Sequence, residues 1–307
     1  MNKDFQDLIK VICKKNNIKC HILSSNWVMV LEKGKIKRFI VGYKFDLNSH
    51  ALGMIFDDKY ATYELLKINN IPVCEYNLVY SINNTNDYAI SHNGLDYVID
   101  LFNKYNGDIV FKSNTGTCGS NVNRINSLDG LIKLYSNISS PNKSFSICPF
   151  YDIINEYRVI VLNNNIELIY MKENPIVYGD GKSTIKELLE AFNYEYFKNV
   201  YDECFDRVLA VDEKFIYSWK FNLSTGARAN FDISSSDKIK LENLVCKMFE
   251  NIDFGFCSID IIKTVENEFL VLEINSGVMM KNLIKENDFG YNIARGIYEK
   301  AVLALFS

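Results

Sequence analysis

The sequence predicts an α+β fold, on three observations. Pairs of short apolar runs are joined by tight turns, as in Glu156–Asn163 followed by Ile166–Glu173. Stretches of helical periodicity lie between such pairs, as in Asp237–Glu250 with Leu241, Leu244, Val245 and Met248 on one face. The order is mixed, without the regular strand–helix alternation of a doubly wound parallel sheet. The 307 residues, 48% apolar and 23% charged, suffice for a large core or for two to three small lobes around one site.

The first segment, residues 1–57, offers an amphipathic helix and then the short strands Cys20–Ser25, Trp27–Gly34 and Ile36–Tyr43, with a hairpin turn at Gly34-Lys35-Ile36. It is too short for a full doubly wound domain. A helix begins at Asp57-Asp58-Lys59, capped by Asp58, and stops before Ile71-Pro72. Strand Cys74–Tyr80, a polar stretch and helix Leu95–Tyr105 follow. Strand Ile109–Lys112 then runs into the Gly-containing loop Ser113–Ser120, and Ser146–Tyr151 reads as a strand ending in a connection between lobes. The second segment is therefore 58–150. The third, 151–307, starts with the hairpin Glu156–Glu173. It continues through a helix opened by the capping box Thr184/Glu187, the helix Asp237–Glu250 and the hairpin Phe256–Lys263/Glu268–Asn275. A closing helix carries Ile293, Ile297, Ala301 and Leu305 on one stripe.

Composition excludes several functions. A net charge of −4 argues against a nucleic-acid partner. No apolar run approaches the roughly 20 residues of a membrane span, and the first residues lack a secretion signal. The eight Cys show no paired spacing, so neither a disulfide framework nor a zinc site is expected, and a reducing cytoplasm is the simple location. Only His21, His50 and His92 exist, which leaves a Ser-His-Asp triad poorly supported.

Two constellations carry chemistry. Lys112 ends a strand, and Gly116 and Gly119 behind it let backbone N–H groups approach an anion; together they form a phosphate cradle, against the plainer reading of a surface turn. Gly181-Lys182-Ser183 lacks the upstream glycine of a P-loop, so Lys182 reads as a loop cation. Asp260, Glu273 and Asn275 lie on adjacent strands of the last hairpin, with Glu273 and Asn275 sharing a face. Hard oxygen donors, few in number, suit Mg²⁺, which takes one or two carboxylates together with substrate phosphates. The alternative, a solvated acidic face, fits poorly with carboxylates set among Ile, Val and Leu. Arg158 and Lys172 supply cations on the preceding hairpin; each alone reads as a strand charge facing water.

These pieces, in this order, resemble the ATP-grasp ligases, and within them the glutathione-synthetase-like and cyanophycin-synthetase-like peptide ligases. The resemblance runs through DDKYATYELLKINNIPV (57–73), IVFKSNTGTCGSNV (109–122), EYRVIVLNNNIELIYMKENPIVYGDGKSTIKEL (156–188), FNLSTGARA (221–229) and FCSIDII…LVLEINSG (256–277). It implies an ATP-grasp fold in which two α+β lobes, 58–150 and 151–307, grip ATP behind a short N-terminal lobe. It implies an ADP-forming carboxylate–amine ligase acting through an acyl phosphate on an amino acid or short peptide. Lys59 and Lys112 would hold the α- and β-phosphates, and Gly116, Thr117 and Gly119 would close over the triphosphate. Cys148, Pro149 and Phe150 would meet the adenine, with Asp152 or Glu156 at the ribose. Arg158 would stabilise the γ-phosphoryl, Lys172 the acyl phosphate, and Asn222 the phosphate or substrate carboxylate, with Lys220 and Arg228 as substrate cations. Asp260, Glu273 and Asn275 would bind about two Mg²⁺, or Mn²⁺ in substitution. The partners are then small carboxylates and amines, with a homodimer as the expected oligomer.

The sequence departs from the family pattern at three places. Ser113 stands where Pro is usual, Cys148 where an acidic or amide residue is common, and Ser276-Gly277-Val278-Met279-Met280 where Pro-Gly often follows. The last bears on the acceptor substrate. The flanking domains of cyanophycin synthetase are missing from the match, so polymer synthesis is not implied. The alternatives are a non-catalytic ATP-binding protein on this fold, or another ATP-grasp reaction such as D-alanine–D-alanine ligation or a biotin-dependent carboxylase component.

Overall fold

Phe5, Leu8, Ile9 and Ile12 recur at helical spacing, and helix α1 (Lys3–Lys15) buries all four. A computed structural model describes residues 3–81, 94–116, 122–138, 143–286 and 288–307. After α1 comes an antiparallel meander of β1 (Lys19–Leu23), β2 (Val28–Lys33), β3 (Ile36–Val41) and β4 (Lys44–Phe45), paired in that order. Gly34 makes the β2–β3 turn at φ +62°. The inner face of the meander (Met29, Leu31, Ile40 and Phe45) joins α1, Phe256 and Tyr298 in one apolar cluster. This meander therefore packs on the C-terminal part of the chain.

Two helices follow where one was expected: α2 (His50–Asp57) and α3 (Lys59–Ile68). Asp58 separates them in an extended conformation. Its side chain caps α3 by accepting from the Ala61 N–H at 2.8 Å, while its own N–H donates to Ile55. Helix α2 escapes prediction because its sequence, HALGMIFD, is apolar almost throughout and shows no helical alternation. Next come β5 (Asn77–Tyr80), α4 (Leu95–Lys104), β6 (Ile109–Ser113), β7 (Asn123–Ile125), α5 (Leu128–Ser136) and β8 (Ser144–Pro149). The strands form an antiparallel sheet in the order β5-β8-β6-β7. Ile109, Phe111 and Ile147 pack under α4 and α5. By the two-residue period of a strand, Val110, Lys112 and Cys148 face the other way.

The remainder holds β9 (Ile153–Leu162), β10 (Asn165–Glu173), β11 (Ile176–Tyr178), α6 (Ile185–Phe197), β12 (Lys214–Ile216), β13 (Arg228–Asn230), α7 (Ser235–Phe249), β14 (Phe256–Thr264), β15 (Phe269–Asn275), α8 (Lys281–Glu286) and α9 (Asp288–Ala304). A five-stranded antiparallel sheet runs β13-β10-β9-β14-β15. Asn163 and Asn164, at φ 47° and 56°, form the two-residue turn between β9 and β10. Tyr157, Val159 and Val161 pack with Leu241, Leu244 and Val245 of α7. Glu156 and Arg158 therefore belong to the opposite face.

The GDGKSTIKEL stretch is explained by local packing. Asp180 accepts from the Lys182 and Ser183 N–H groups, and Thr184 and Glu187 form the expected capping box. A Cβ on Gly179 would lie 2.0 Å from the Ala210 carbonyl oxygen. The α+β class expected from the sequence is observed. Among the described residues no helix is long and apolar enough to cross a membrane.

Candidate active site

A cleft of about 620 Å³ lies between the four-stranded and five-stranded sheets. Its charged floor follows from strand register. Arg158 on β9 is paired across to Asp260 on β14 and to Tyr170 on β10. Glu156 is opposite Lys172, and Asp260 is opposite Glu273. All six belong to one face of the sheet. A bulge follows the Asp260–Glu273 pair, where β15 carries Leu272 as an extra residue; both Leu272 and Glu273 thereby line the cleft.

The floor is a mesh of ion pairs. The Arg158 guanidinium donates through Nε and Nη2 to the two oxygens of Asp260, each at 2.7 Å. Lys172 lies 3.0 Å from Asp260 Oδ2 and also donates to Glu156. Asp260 is 2% exposed, and burial disfavours its charge, yet Arg158 and Lys172 together hold its carboxyl well below the usual carboxylate range. Burial and neighbouring Arg158 both work against the charge of Lys172, but Asp260 and Glu156 more than offset them and raise its pKa. Burial pushes Glu156 up, only partly offset by Lys172. Six Lys and Arg side chains (Lys44, Lys59, Lys112, Arg158, Lys172, Lys220) line the cleft against four carboxylates (Asp57, Glu156, Asp260, Glu273), a formal excess of two positive charges.

Lys59 and Lys112 are placed by the smaller sheet. The end of β6 is clamped to the start of α3: Asn114 donates to Asp58 at 2.7 Å, accepts from the Tyr60 N–H, and through its carbonyl accepts from the Lys59 N–H. This puts Lys59 at the first position of its helix, with Nζ 3.0 Å from the Gly116 carbonyl and 3.6 Å from Glu273. Burial lowers the Lys59 pKa, opposed by Glu273. Lys112 is buried, and its Nζ is 2.6 Å from the Tyr76 hydroxyl, which in turn donates to the Leu272 carbonyl.

Cys148, Pro149 and Phe150 line the cleft together with Trp219, whose ring centroid is 5.6 Å from that of Phe150. Cys148 is buried and burial pushes its thiol up, so it contributes apolar surface. Lys220 Nζ donates to the Val122 carbonyl at 2.7 Å. Asn222 caps the short turn 223–225 by accepting from the Ser224 N–H at 2.9 Å.

Of the residues expected at the site, the cleft brings together Lys59, Lys112, Gly116, Cys148, Pro149, Phe150, Glu156, Arg158, Lys172, Lys220, Asn222, Asp260, Glu273 and Asn275. Two expectations are corrected. Arg228 pairs with Glu173 at 2.7 Å and does not line the cleft. Glu173 is adjacent to Lys172 on β10 and so points from the opposite face, carrying its cross-strand partner Arg228 with it. Asp152 is exposed, ahead of β9 and outside the cleft lining, and its carbonyl accepts from the Val265 N–H at 3.0 Å. Thr117 and Gly119 lie outside the described residues. Sequence reasoning missed Tyr76, Tyr170, Trp219, Trp27 and Tyr43, all aromatic. Trp219 carried a signal, since it adjoins Lys220 and the FNLSTG stretch.

The donor set fits Mg²⁺ of a particular kind. Among the described residues no cluster of three or more His, Cys, Asp and Glu could hold a metal unaided. Asn275 Nδ2 donates to Glu273 Oε1 at 3.2 Å and Lys59 Nζ lies 3.6 Å from Glu273 Oε2, so the hard donors here are the Asn275 amide oxygen and a Glu273 carboxylate already shared with Lys59. Both oxygens of Asp260 are engaged by cations. Such a site suits an ion that arrives with phosphate oxygens of its own.

No family model matches the chain, and no curated protein does. Among solved structures it is similar to a bifunctional glutathione synthetase from Pasteurella multocida, at 16% identity and a TM-score of 0.55, over 96% of this chain and 44% of that one. It is also similar to a RimK domain ATP-grasp protein from Sphaerobacter thermophilus (11% identity, TM-score 0.49, 83% of this chain and 70% of that one). A third is carboxyaminoimidazole ribonucleotide synthase from Aspergillus clavatus (12% identity, TM-score 0.47, 74% of this chain and 46% of that one). The chain spans less than half the length of the glutathione synthetase and of the ribonucleotide synthase. Near-complete overlap with the first of these, at an identity that speaks to architecture alone, shows that this chain shares the fold of that glutathione synthetase region.

Proposed function

We propose that the protein is an ATP-dependent carboxylate–amine ligase that forms an amide from an amino acid or short peptide. The observation that carries this reading is the convergence of Lys59, Lys112, Arg158 and Lys172 with Asp260, Glu273 and Asn275 on one cleft floor. Phosphoryl transfer asks chiefly for positioning and charge stabilisation. This floor offers both.

In the proposed reaction a substrate carboxylate oxygen attacks the γ-phosphorus of ATP. The bond to the β,γ-bridging oxygen breaks and ADP leaves. The amine nitrogen then attacks the acyl carbon, the carbon–oxygen bond to phosphate breaks, and the amine's proton is lost as the amide forms. Lys59 and Lys112 hold the α- and β-phosphates, and Gly116 lies beside them. Cys148, Pro149 and Phe150, with Trp219, receive the adenine. Glu156, rather than the exposed Asp152, is the acid near the ribose. Arg158 faces the transferring phosphoryl, Lys172 the acyl phosphate, and Asn222 and Lys220 the substrate carboxylate. Glu273 and Asn275, with Asp260 beside them, hold Mg²⁺, which neutralises phosphate charge when bound. Seven described cysteines, all free, are in keeping with a reducing cytoplasm.

The test is phosphate release from Mg-ATP by purified protein, screened against pairs of amino acids and short peptides. Release that needs both a carboxylate and an amine supports the ligase. ATP binding with no pair that raises release would instead make this a non-catalytic ATP-binding protein.

A further inference from the structure

The cleft has a second end that the phosphate chemistry leaves unused. It is built from the N-terminal meander and from the Ser276–Met280 segment, where this sequence leaves the family pattern. Trp27 stands at the tip of the β1–β2 turn, lines the cleft and is 53% exposed. Its indole lies flat on Gly42, where a Cβ would come within 2.9 Å of the ring. The turn leading to it, Ser24-Ser25-Asn26, places three successive non-glycine residues in the left-handed region, at φ 52°, 51° and 71°. That conformation is unfavourable for L-residues, and backbone strain of this kind collects at ligand sites. Here it does not serve to bury the tryptophan, because more than half of the residue stays exposed. The turn is nevertheless tied down. The buried Gln6 side chain donates to the Asn26 carbonyl at 3.1 Å, and the Gly42 N–H donates to the Trp27 carbonyl at 2.9 Å.

The facing side of this end is fixed to the same meander. The Val278 N–H donates to the Tyr43 carbonyl, which sets Met279 on the cleft wall. Ser276 donates to Asp57 at 2.8 Å, and Asp57 also pairs with Lys44. The cation at this end is therefore already matched, and Val41, Tyr43 and Met279 complete an apolar wall beside Trp27.

Resting on the ligase reading, we propose that this wall is the pocket for an apolar, preferably aromatic, side chain of the substrate whose carboxylate reacts at Arg158 and Lys172. Trp27 is its specificity-determining residue. A ring held in place by its backbone loses little freedom when a second ring packs on it.

The experiment uses N-acetyl-phenylalanine, N-acetylglycine and N-acetyl-aspartate as carboxylates, hydroxylamine as the amine, and Mg-ATP. Phosphate release should favour N-acetyl-phenylalanine over the other two by at least about tenfold in kcat/KM, the scale on which an apolar pocket discriminates. Trp27→Ala should bring the three to near parity, and Trp27→Phe should retain most of the preference. Binding is read separately by fluorine NMR of protein labelled with 5-fluorotryptophan. The chain has two tryptophans, so Trp27→Phe assigns the signals. The Trp27 signal should move with N-acetyl-phenylalanine and not with the other two. A wild-type preference for the glycine or aspartate compound overturns the pocket, as does an equal loss for all three in Trp27→Ala. A moving Trp27 signal without phosphate release from any carboxylate would sink the ligase reading and leave the pocket standing. Release without side-chain preference would do the reverse, and neither signal nor release would end both.

Discussion

Arg158→Lys separates binding from chemistry at the centre of the floor. The change keeps the charge and removes the planar fork that spans both oxygens of Asp260 at 2.7 Å. One of two charge-assisted hydrogen bonds is lost, a matter of about 2 kcal/mol. The far larger penalty for stripping a buried charge does not apply, because Lys172 still lies 3.0 Å from Asp260. At roughly 2.1 cal/mol/K per residue, the chain unfolds with about 0.6 kcal/mol/K of entropy, so the melting temperature should fall by about 3 °C. Turnover should fall much further. If the same fork meets the transferring phosphoryl, losing one donor where charge develops costs on the order of 3 kcal/mol, roughly a hundredfold in kcat. Affinity for a non-hydrolysable ATP analogue, measured by calorimetry, should change by no more than about threefold. Equal losses in kcat and affinity would show that Arg158 binds ground-state ATP only. A lower melting temperature with unchanged kcat would leave it a structural partner of Asp260 and end its assignment to the phosphoryl.

Glu273→Gln should leave the fold intact and raise the Mg²⁺ concentration for half-maximal phosphate release at least about tenfold, since one hard anionic donor becomes neutral; an unchanged Mg²⁺ titration would remove Glu273 from the metal site. Gly179→Ala should destabilise the chain by on the order of 3 kcal/mol, because the new methyl has the Ala210 carbonyl at 2.0 Å; normal melting of that variant would refute the packing account of GDGKST. Asp237, on the helix face of the large sheet, has its carboxyl pKa lowered: burial raises it, but hydrogen bonds from Lys263 and Tyr157 outweigh burial. A depressed pKa means stability that is present above the ordinary carboxylate value near 4 and is lost as pH falls through the depressed one. Asp237→Asn should therefore cost about 1 kcal/mol at pH 7, by denaturant titration, and progressively less below about pH 4; a cost that grows on acidification would contradict the assignment.

Much of the architecture was legible because local chemistry fixed it. Asn163-Asn164 supplied a turn that tolerates positive φ, Thr184 and Glu187 supplied a helix start, and Asp58 supplied a cap. The convergence of Asp260, Glu273 and Asn275 on one cleft was readable for a similar reason: Glu273 and Asn275 are two apart on one strand, and Asp260 is brought opposite by a short hairpin. What escaped depended on parity between strands. Lys172 and Arg228 both looked like site cations, but the β10–β13 register sets Arg228 beside Glu173 and hence on the other face. Helix α2 carried no polar–apolar rhythm, and the turn before Trp27 carried no glycine, so the sequence showed a break between two strands there but not its left-handed conformation. The aromatic lining was invisible for a general reason. Trp27, Tyr170 and Trp219 come from separate elements and line one cleft only once the sheets are assembled.

Asp260 shows how a site of this kind is kept ready. Read from sequence it is a metal ligand; in the structure it holds Arg158 and Lys172. The two roles compete for the same two oxygens, and this competition has a physical use. Arg158 by itself works against the charge of Lys172, and burial works against it too. Without Asp260 the two cations would repel one another on the cleft floor, where the proposed reaction sets the phosphoryl group. With it, Lys172 stays protonated despite being buried, and Arg158 stays oriented. On the proposed ligase reading, Asp260 would offer an oxygen to Mg²⁺ where Arg158 turned from it to an anionic group of the substrate. Such an exchange of partners would leave no charge unpaired, and the cost of burying these groups would then be met at folding rather than at the moment of reaction.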